Sequence, residues 1–180
     1  MPRGDWLQSF LGQAVYPLDP DVSTISIIDV AHALSNQCRF LGHSRIFYSV
    51  AQHSVFVSEL VPPQDALWGL LHDASEAYLG DVPRPLKKLP EFEQYRIIER
   101  LTTKLICEIF GLPPQQPESV THADLVALAT EARDLMAPPP QPWNPMPPPS
   151  ERHIVPISPK QAEHAFLERF WQLRGERGHG

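Results

Sequence analysis

The sequence predicts an all-α fold, and three observations carry that expectation. Apolar residues recur at i+3 and i+4 steps in successive stretches, as one buried helix face requires. Those stretches stop at proline or glycine. Near the end, Ser158-Pro159-Lys160-Gln161 spells a helix start: an N-cap serine, proline at the first helical position and a capping-box glutamine. With 180 residues and no internal repeat, the chain is expected to form one domain of about five to seven helices with a sizeable core.

In chain order, residues 1–28 read as an irregular or weakly extended N-terminal segment with a turn at "YPLDP". A helix is expected from about Asp29, with Val30, Ala33, Leu34 and Cys38 on one side and a break at Gly42. The next runs from about Ser49 to Val61, where Val50, Val57 and Leu60 repeat at helical spacing and Pro62-Pro63 stops it. Asp65 is placed to cap a third helix through Leu79, with Leu67, Leu70, Leu71, Ala74 and Tyr78 as its seam. "GDVPRP" then leaves helical geometry. A long helix over about Glu91–Phe110 buries Phe92, Tyr95, Ile98, Thr102, Leu105 and Ile109, and Gly111 ends it. Another spans about Glu118 to Met136. The helical core therefore covers 29–137, and 138–157 form a proline-rich connection. Eight of the fourteen residues in "APPPQPWNPMPPPS" are proline, which dictates polyproline II or irregular backbone. Residues 158–180 form a last helix burying Ala162, Phe166, Phe170 and Leu173, followed by an "ERGHG" tail that includes His179.

Bulk properties exclude some functions. A net charge of −6 argues against polymeric nucleic acid or an anionic membrane surface as the main partner, though a small anionic ligand stays compatible. No signal-type h-region and no long apolar run occurs. Cys38 and Cys107 are far apart and lack metal or redox spacing, so a reducing, cytoplasmic setting with both thiols in the core is expected.

Chemistry-bearing residues fall on three helices. Opposite the leucine seam of the third helix, His72, Asp73 and Glu76 lie within about 100° of one another, and Gly69 leaves room for an approaching group. Alone, such a patch is compatible with an ordinary solvated face. His53 sits on the apolar face of its helix, between Val50 and Val57, where a hydrogen-bonded core histidine is the plain alternative. Asp124 lies between Val120 and Leu128, a costly place for a carboxylate unless it is paired, for instance with Arg133 or Lys104, or coordinated. Together, two imidazoles and two carboxylates turned inward suit one divalent transition metal with positions left for water and substrate.

These residues resemble a known family. His53 … His72-Asp73 … Asp124 is similar to the H…HD…D signature of HD-domain metal-dependent phosphohydrolases. The block "HDASEAYLGDVPRPLK" strongly resembles the segment found in bacterial 5′-deoxynucleotidases and small deoxynucleoside triphosphate hydrolases. The resemblance covers about Asp29 to Met136 and implies an all-α HD fold, a single HD-domain bundle. It implies that His53, His72, Asp73 and Asp124 ligate one divalent metal of the Co²⁺, Mn²⁺ or Zn²⁺ kind. It further implies that Glu76 orients or deprotonates the attacking water, and that Asp81 contacts the sugar or nearby water. Arg39 and Lys87 would grip phosphate, and Phe40 and Pro85 would line the base or sugar pocket. One departure stands out: relatives commonly carry lysine where this chain has Thr121. That removes a cationic phosphate contact or passes it to His122, His43 or Arg45.

The expected activity is removal of the phosphate of a deoxynucleoside 5′-monophosphate. The alternatives are release of triphosphate from a deoxynucleoside triphosphate, a nucleotide-binding HD module without turnover, and an interaction protein built on the proline-rich stretch. Retention of all four ligand-type residues and Glu76 favours an enzyme. Members of the family form dimers and larger assemblies, so self-association is also among the expectations.

Overall fold

The computed structural model describes residues 4–143 and 145–175. The "ERGHG" tail with His179 lies outside the described residues. The chain opens with a short antiparallel hairpin, β1 (Leu7–Gln8) paired with β2 (Ala14–Val15). The N-terminal segment is thus extended at two short places and irregular between them. Asp29 ties the hairpin down by accepting from the Leu11 amide at 2.8 Å.

Helix α1 (Ile27–Asn36) starts two residues ahead of the position read from the sequence, because Ser26 is the N-cap and accepts from the Ile28 amide. Cys38, placed on the helix seam by spacing, lies past the helix end and is only half-buried. α2 (Val50–Leu60) is capped by Ser49. α3 (Ala66–Leu71), α4 (Glu76–Leu79) and α5 (Arg84–Lys87) are short. α6 (Glu93–Phe110) follows a 3₁₀ turn at Pro90–Phe92, and Gly111 ends it with φ of 69°. α7 (Glu118–Leu135) and α8 (Pro159–Leu173) complete the set. The capping box at Ser158 and Gln161 forms as the sequence spells it. Residues 137–143 and 145–150 carry no helix or strand. Among the described residues no helix is long and apolar enough to cross a membrane.

α2 is the central helix. It touches α1, α3, α7 and α8, and burial covers most of its circumference through Val50, Ala51, His53, Ser54, Phe56, Val57 and Ser58. Its outward side carries Gln52, Val55 and the exposed Glu59, whereas His53 is turned away from that side and is wholly buried. α8 closes the core with Ala162, Phe166 and Phe170, while Leu173 is only partly buried at the rim. A second cluster joins α2, α3, α6 and α7 through Phe56, Val57, Trp68, Cys107, Val120 and Ala123.

The third helix is not continuous to Leu79. It breaks at residues 72–75 into tight turns, with Ala74 N–H donating to the Leu71 carbonyl at 3.0 Å and Glu76 N–H to the Asp73 carbonyl at 2.9 Å. Asp65 does not cap α3 through its side chain; its carboxylate accepts from the Ser119 hydroxyl of α7 at 2.5 Å. Nor does Gly69 leave room for a ligand. A Cβ there would lie 3.0 Å from the Ser58 Cα, so the glycine serves the close approach of α3 to α2. Gly69→Ala is expected to force the two helices apart, lowering stability by about 1–3 kcal/mol in a urea melt and weakening any metal site shared between them.

Candidate metal centre

Four side chains from three parts of the chain converge. His53 comes from the middle of α2, His72 and Asp73 from the turn after α3, and Asp124 from the second turn of α7. His53 Nε2 lies 3.3 Å from His72 Nε2, 3.7 Å from Asp73 Oδ2 and 3.2 Å from Asp124 Oδ1. His72 Nε2 lies 3.3 Å from Asp73 Oδ2 and 3.9 Å from Asp124 Oδ1. His53, His72 and Asp73 form a group that could hold a metal ion. Asp124 sits at its mouth with its side chain 41% exposed, not sealed in an apolar seam as its spacing suggested. Neither expected salt-bridge partner reaches it: Arg133 pairs with Asp134, and Lys104 with Glu108.

Adjacent residues on a regular helix point about 100° apart. His72 and Asp73 nevertheless meet at one centre, because the tight turn redirects the chain and His72 Nδ1 donates back to the Gly69 carbonyl at 2.8 Å. That hydrogen bond fixes the ring so that Nε2 faces the cluster.

Behind these four side chains lies a buried carboxylate not singled out from the sequence. Glu131 of α7 has no exposed surface; its Oε1 lies 2.6 Å from His53 Nδ1, and its Oε2 accepts from Arg39 at 3.0 Å. A second Arg39 nitrogen is 3.8 Å from Asp73 Oδ2. The signal available was position: Glu131 follows Asp124 by seven residues, two helical turns on the same face, within the small-residue run "ALATEA".

Arg39 begins an unusual turn. Phe40 and Leu41, neither of them glycine, both adopt left-handed backbone with φ of 54° and 52°, a conformation that costs L-residues about 1–2 kcal/mol each. Phe40 is half-buried; the Arg39 guanidinium lies over its ring, and Trp143 of the proline-rich stretch meets it edge-on at 6.3 Å. Lys87 pairs with Glu99 at 2.6 Å and lies over the Tyr95 ring. Pro85 is exposed on α5, whose single turn tolerates proline near its start. Thr121, His122, His43 and Arg45 are exposed. His32, away from this cluster, pairs with Glu163 at 3.1 Å and stacks on Phe10.

Glu76 is buried, and its Oε2 has no protein partner. The Gln37 side chain anchors its backbone carbonyl at 2.8 Å. Burial first, then the charges of Asp73 and Asp81, push its carboxyl up to about 9, while Arg39 and Lys87 pull the other way. Four of the charged residues singled out in the sequence thus act on Glu76 through their fields. Burial depresses His72, but the adjacent Asp73, then Asp124 and the Gly69 carbonyl, outweigh it and raise the ring to about 9. Burial raises Asp73 and Asp124, yet the imidazoles hold both below the usual carboxylate range.

A metal ion held there would compete with the proton on His72. In protein stripped by a chelator and titrated with Mn²⁺, the apparent Kd is expected to fall by up to about tenfold per pH unit between pH 6 and 9, then level off. Affinity independent of pH in chelator competition would contradict this.

No family model matches the chain. It is similar to the uncharacterized protein YfdR of Escherichia coli (strain K12), at 41% identity over 171 residues, covering 93% of this chain and 95% of that protein. It is also similar to an uncharacterized protein of Rhodobacter capsulatus, at 34% identity over 143 residues and 72% of each chain.

Proposed function

The chain belongs to one family with YfdR, and from that premise and the site geometry we propose that it is an HD-type, metal-dependent phosphohydrolase acting on deoxynucleoside 5′-monophosphates. One observation carries the reading: two imidazole nitrogens and two carboxylates, brought from α2, α7 and the turn after α3, converge within 3.2 to 3.9 Å of one another along the measured pairs. Such a donor set fits a divalent transition cation. Two orphaned polar atoms beside it, Glu76 Oε2 and Arg39 Nε, suit a wet, ligand-bearing site better than a closed ion-pair network.

A cation held by His53, His72, Asp73 and Asp124 supplies Lewis acidity, acidifying water and offsetting phosphoryl charge. The chain's own groups do the rest. With a cation bound beside it, that positive charge would favour the carboxylate form of Glu76, which would then take the proton of the attacking water as its oxygen bonds to phosphorus. The bond from phosphorus to the sugar oxygen breaks, that oxygen takes a proton from solvent, and Glu76 returns its own to solvent. Arg39, aimed by Glu131, balances charge on the phosphoryl oxygens. Asp81 contacts the sugar or the water beside it. Phe40 and Pro85 line the base or sugar side. Lys87, paired with Glu99 and half-exposed, is the outer phosphate contact.

A monophosphate suits the cationic groups better than a triphosphate. Arg39 and Lys87 are both already engaged by carboxylates, and Thr121 stands where the family resemblance leads one to expect a lysine. The deciding experiment supplies Mn²⁺ or Co²⁺ and a panel of deoxynucleoside mono- and triphosphates, with product identification. Inorganic phosphate from monophosphates is expected. Triphosphate as the product, or no turnover of any member, rejects the assignment.

A further inference from the structure

Glu131 is the most enclosed acid near the site, and each of its oxygens serves a different partner. Oε1 meets His53 Nδ1 at 2.6 Å, and Oε2 meets Arg39 Nη2 at 3.0 Å. A carboxylate only accepts, so His53 Nδ1 carries the proton of that bond. The lone pair of a neutral His53 ring is then on Nε2, the atom facing His72, Asp73 and Asp124. Arg39 in turn spans from Glu131 to Asp73 Oδ2 at 3.8 Å. Its backbone is held too, since Arg39 N–H donates to the Tyr48 carbonyl at 2.8 Å.

We infer that Glu131 is a positioning residue with two arms. One locks His53 in the Nδ1–H tautomer that presents Nε2 to a cation. The other aims Arg39, so that cation binding and anion binding depend on the same buried carboxylate. The cation arm stands on geometry alone; the anion arm rests on the phosphohydrolase reading. A merely structural buried ion pair affects stability, whereas a positioning residue also changes ligand affinities in protein that remains folded.

The test uses the full chain, with Mn²⁺ alone and inorganic phosphate as probes. Glu131→Gln keeps the shape but removes the charge. In folded variant, chelator competition is expected to show Mn²⁺ affinity about 10–100-fold weaker, and phosphate binding to the Mn²⁺-loaded protein is expected to weaken as well. Arg39→Gln is expected to weaken phosphate without weakening Mn²⁺, which separates the arms. Nitrogen-15 NMR of the unaltered chain loaded with Zn²⁺ covers the case in which Glu131→Gln does not fold. His53 is expected to show a protonated, hydrogen-bonded Nδ1 and coordination through Nε2. Coordination through Nδ1, an unaltered chain that binds no metal, or folded Glu131→Gln with Mn²⁺ affinity equal to the unaltered chain overturns the inference. If the unaltered chain binds Mn²⁺ and hydrolyses no nucleotide, while Glu131→Gln loses Mn²⁺ affinity, the hydrolase reading falls and the cation arm stands. If it hydrolyses nucleotides and Glu131→Gln binds Mn²⁺ unchanged, only the inference falls.

Discussion

Glu76→Gln is expected to leave Mn²⁺ binding within a few-fold of the unaltered protein while lowering kcat by roughly 10²–10⁴-fold, the usual contribution of a positioned acid or base. The same substitution is expected to stabilise the chelator-treated protein. Glu76 is 7% exposed, one of its oxygens has no partner, and burial with Asp73 and Asp81 raises its carboxyl to about 9. Its ordinary value is 4.5, so between those two pH values the folded chain holds a proton that the unfolded chain has released. Stability contributed by this group therefore falls as pH rises from about 4.5 to 9. Glutamine removes that slope. Urea unfolding at pH 5 and pH 8 should show the variant gaining about 1–2 kcal/mol at the higher pH and little at the lower. An enzyme that keeps its turnover after this change does not use Glu76 as the proton acceptor.

His53→Ala is expected to have the largest effect on stability of any substitution in the site. It removes a ring with no exposed surface from the central helix and leaves Glu131 with Arg39 as its remaining charged partner at hydrogen-bond distance. Breaking a buried ionic contact costs about 3–5 kcal/mol, and Mn²⁺ binding should disappear along with it. Asp124→Asn makes the contrast. With that side chain 41% exposed, its removal should change stability by under about 1 kcal/mol yet still weaken Mn²⁺ binding. Equal stability losses for the two would mean that the cluster is a structural ion-pair network and not a ligand set.

Much of the fold was legible because local rules operate on neighbouring residues. Ser158 through Gln161 form the capping box they spell, Gly111 ends α6 in left-handed backbone, and the proline run carries no regular structure. Helix spacing placed α2, α6 and α7 to within two residues. The convergence of His53, His72 and Asp73, with Asp124 beside them, was legible for a different reason: imidazoles and carboxylates set among apolar helix positions are costly unless paired or coordinated, and three such stretches in one chain is an unusual pattern.

What failed was whatever depended on a neighbour distant in sequence. An unbroken helical wheel from Leu67 to Leu79 overlooked the tight turns at 72–75, and Asp65 was taken by Ser119 rather than by its own helix. Gly69 looked like space for a ligand, but α2 fills that space. That Arg39 and Lys87 each face a carboxylate, Glu131 or Glu99, from another element was equally beyond local rules.

By itself, then, the sequence determined the helical class, the ends of α2, α6 and α7, the start of α8 and the identities of the four converging side chains, since periodicity and capping act over a few residues. Only the tertiary structure decided that the His53 ring has no exposed surface, that Asp124 stands at the mouth, and that Glu131 joins His53 to Arg39. Those outcomes are set by which helix packs on which, and contacts across 78 and 92 residues of chain leave no periodic trace.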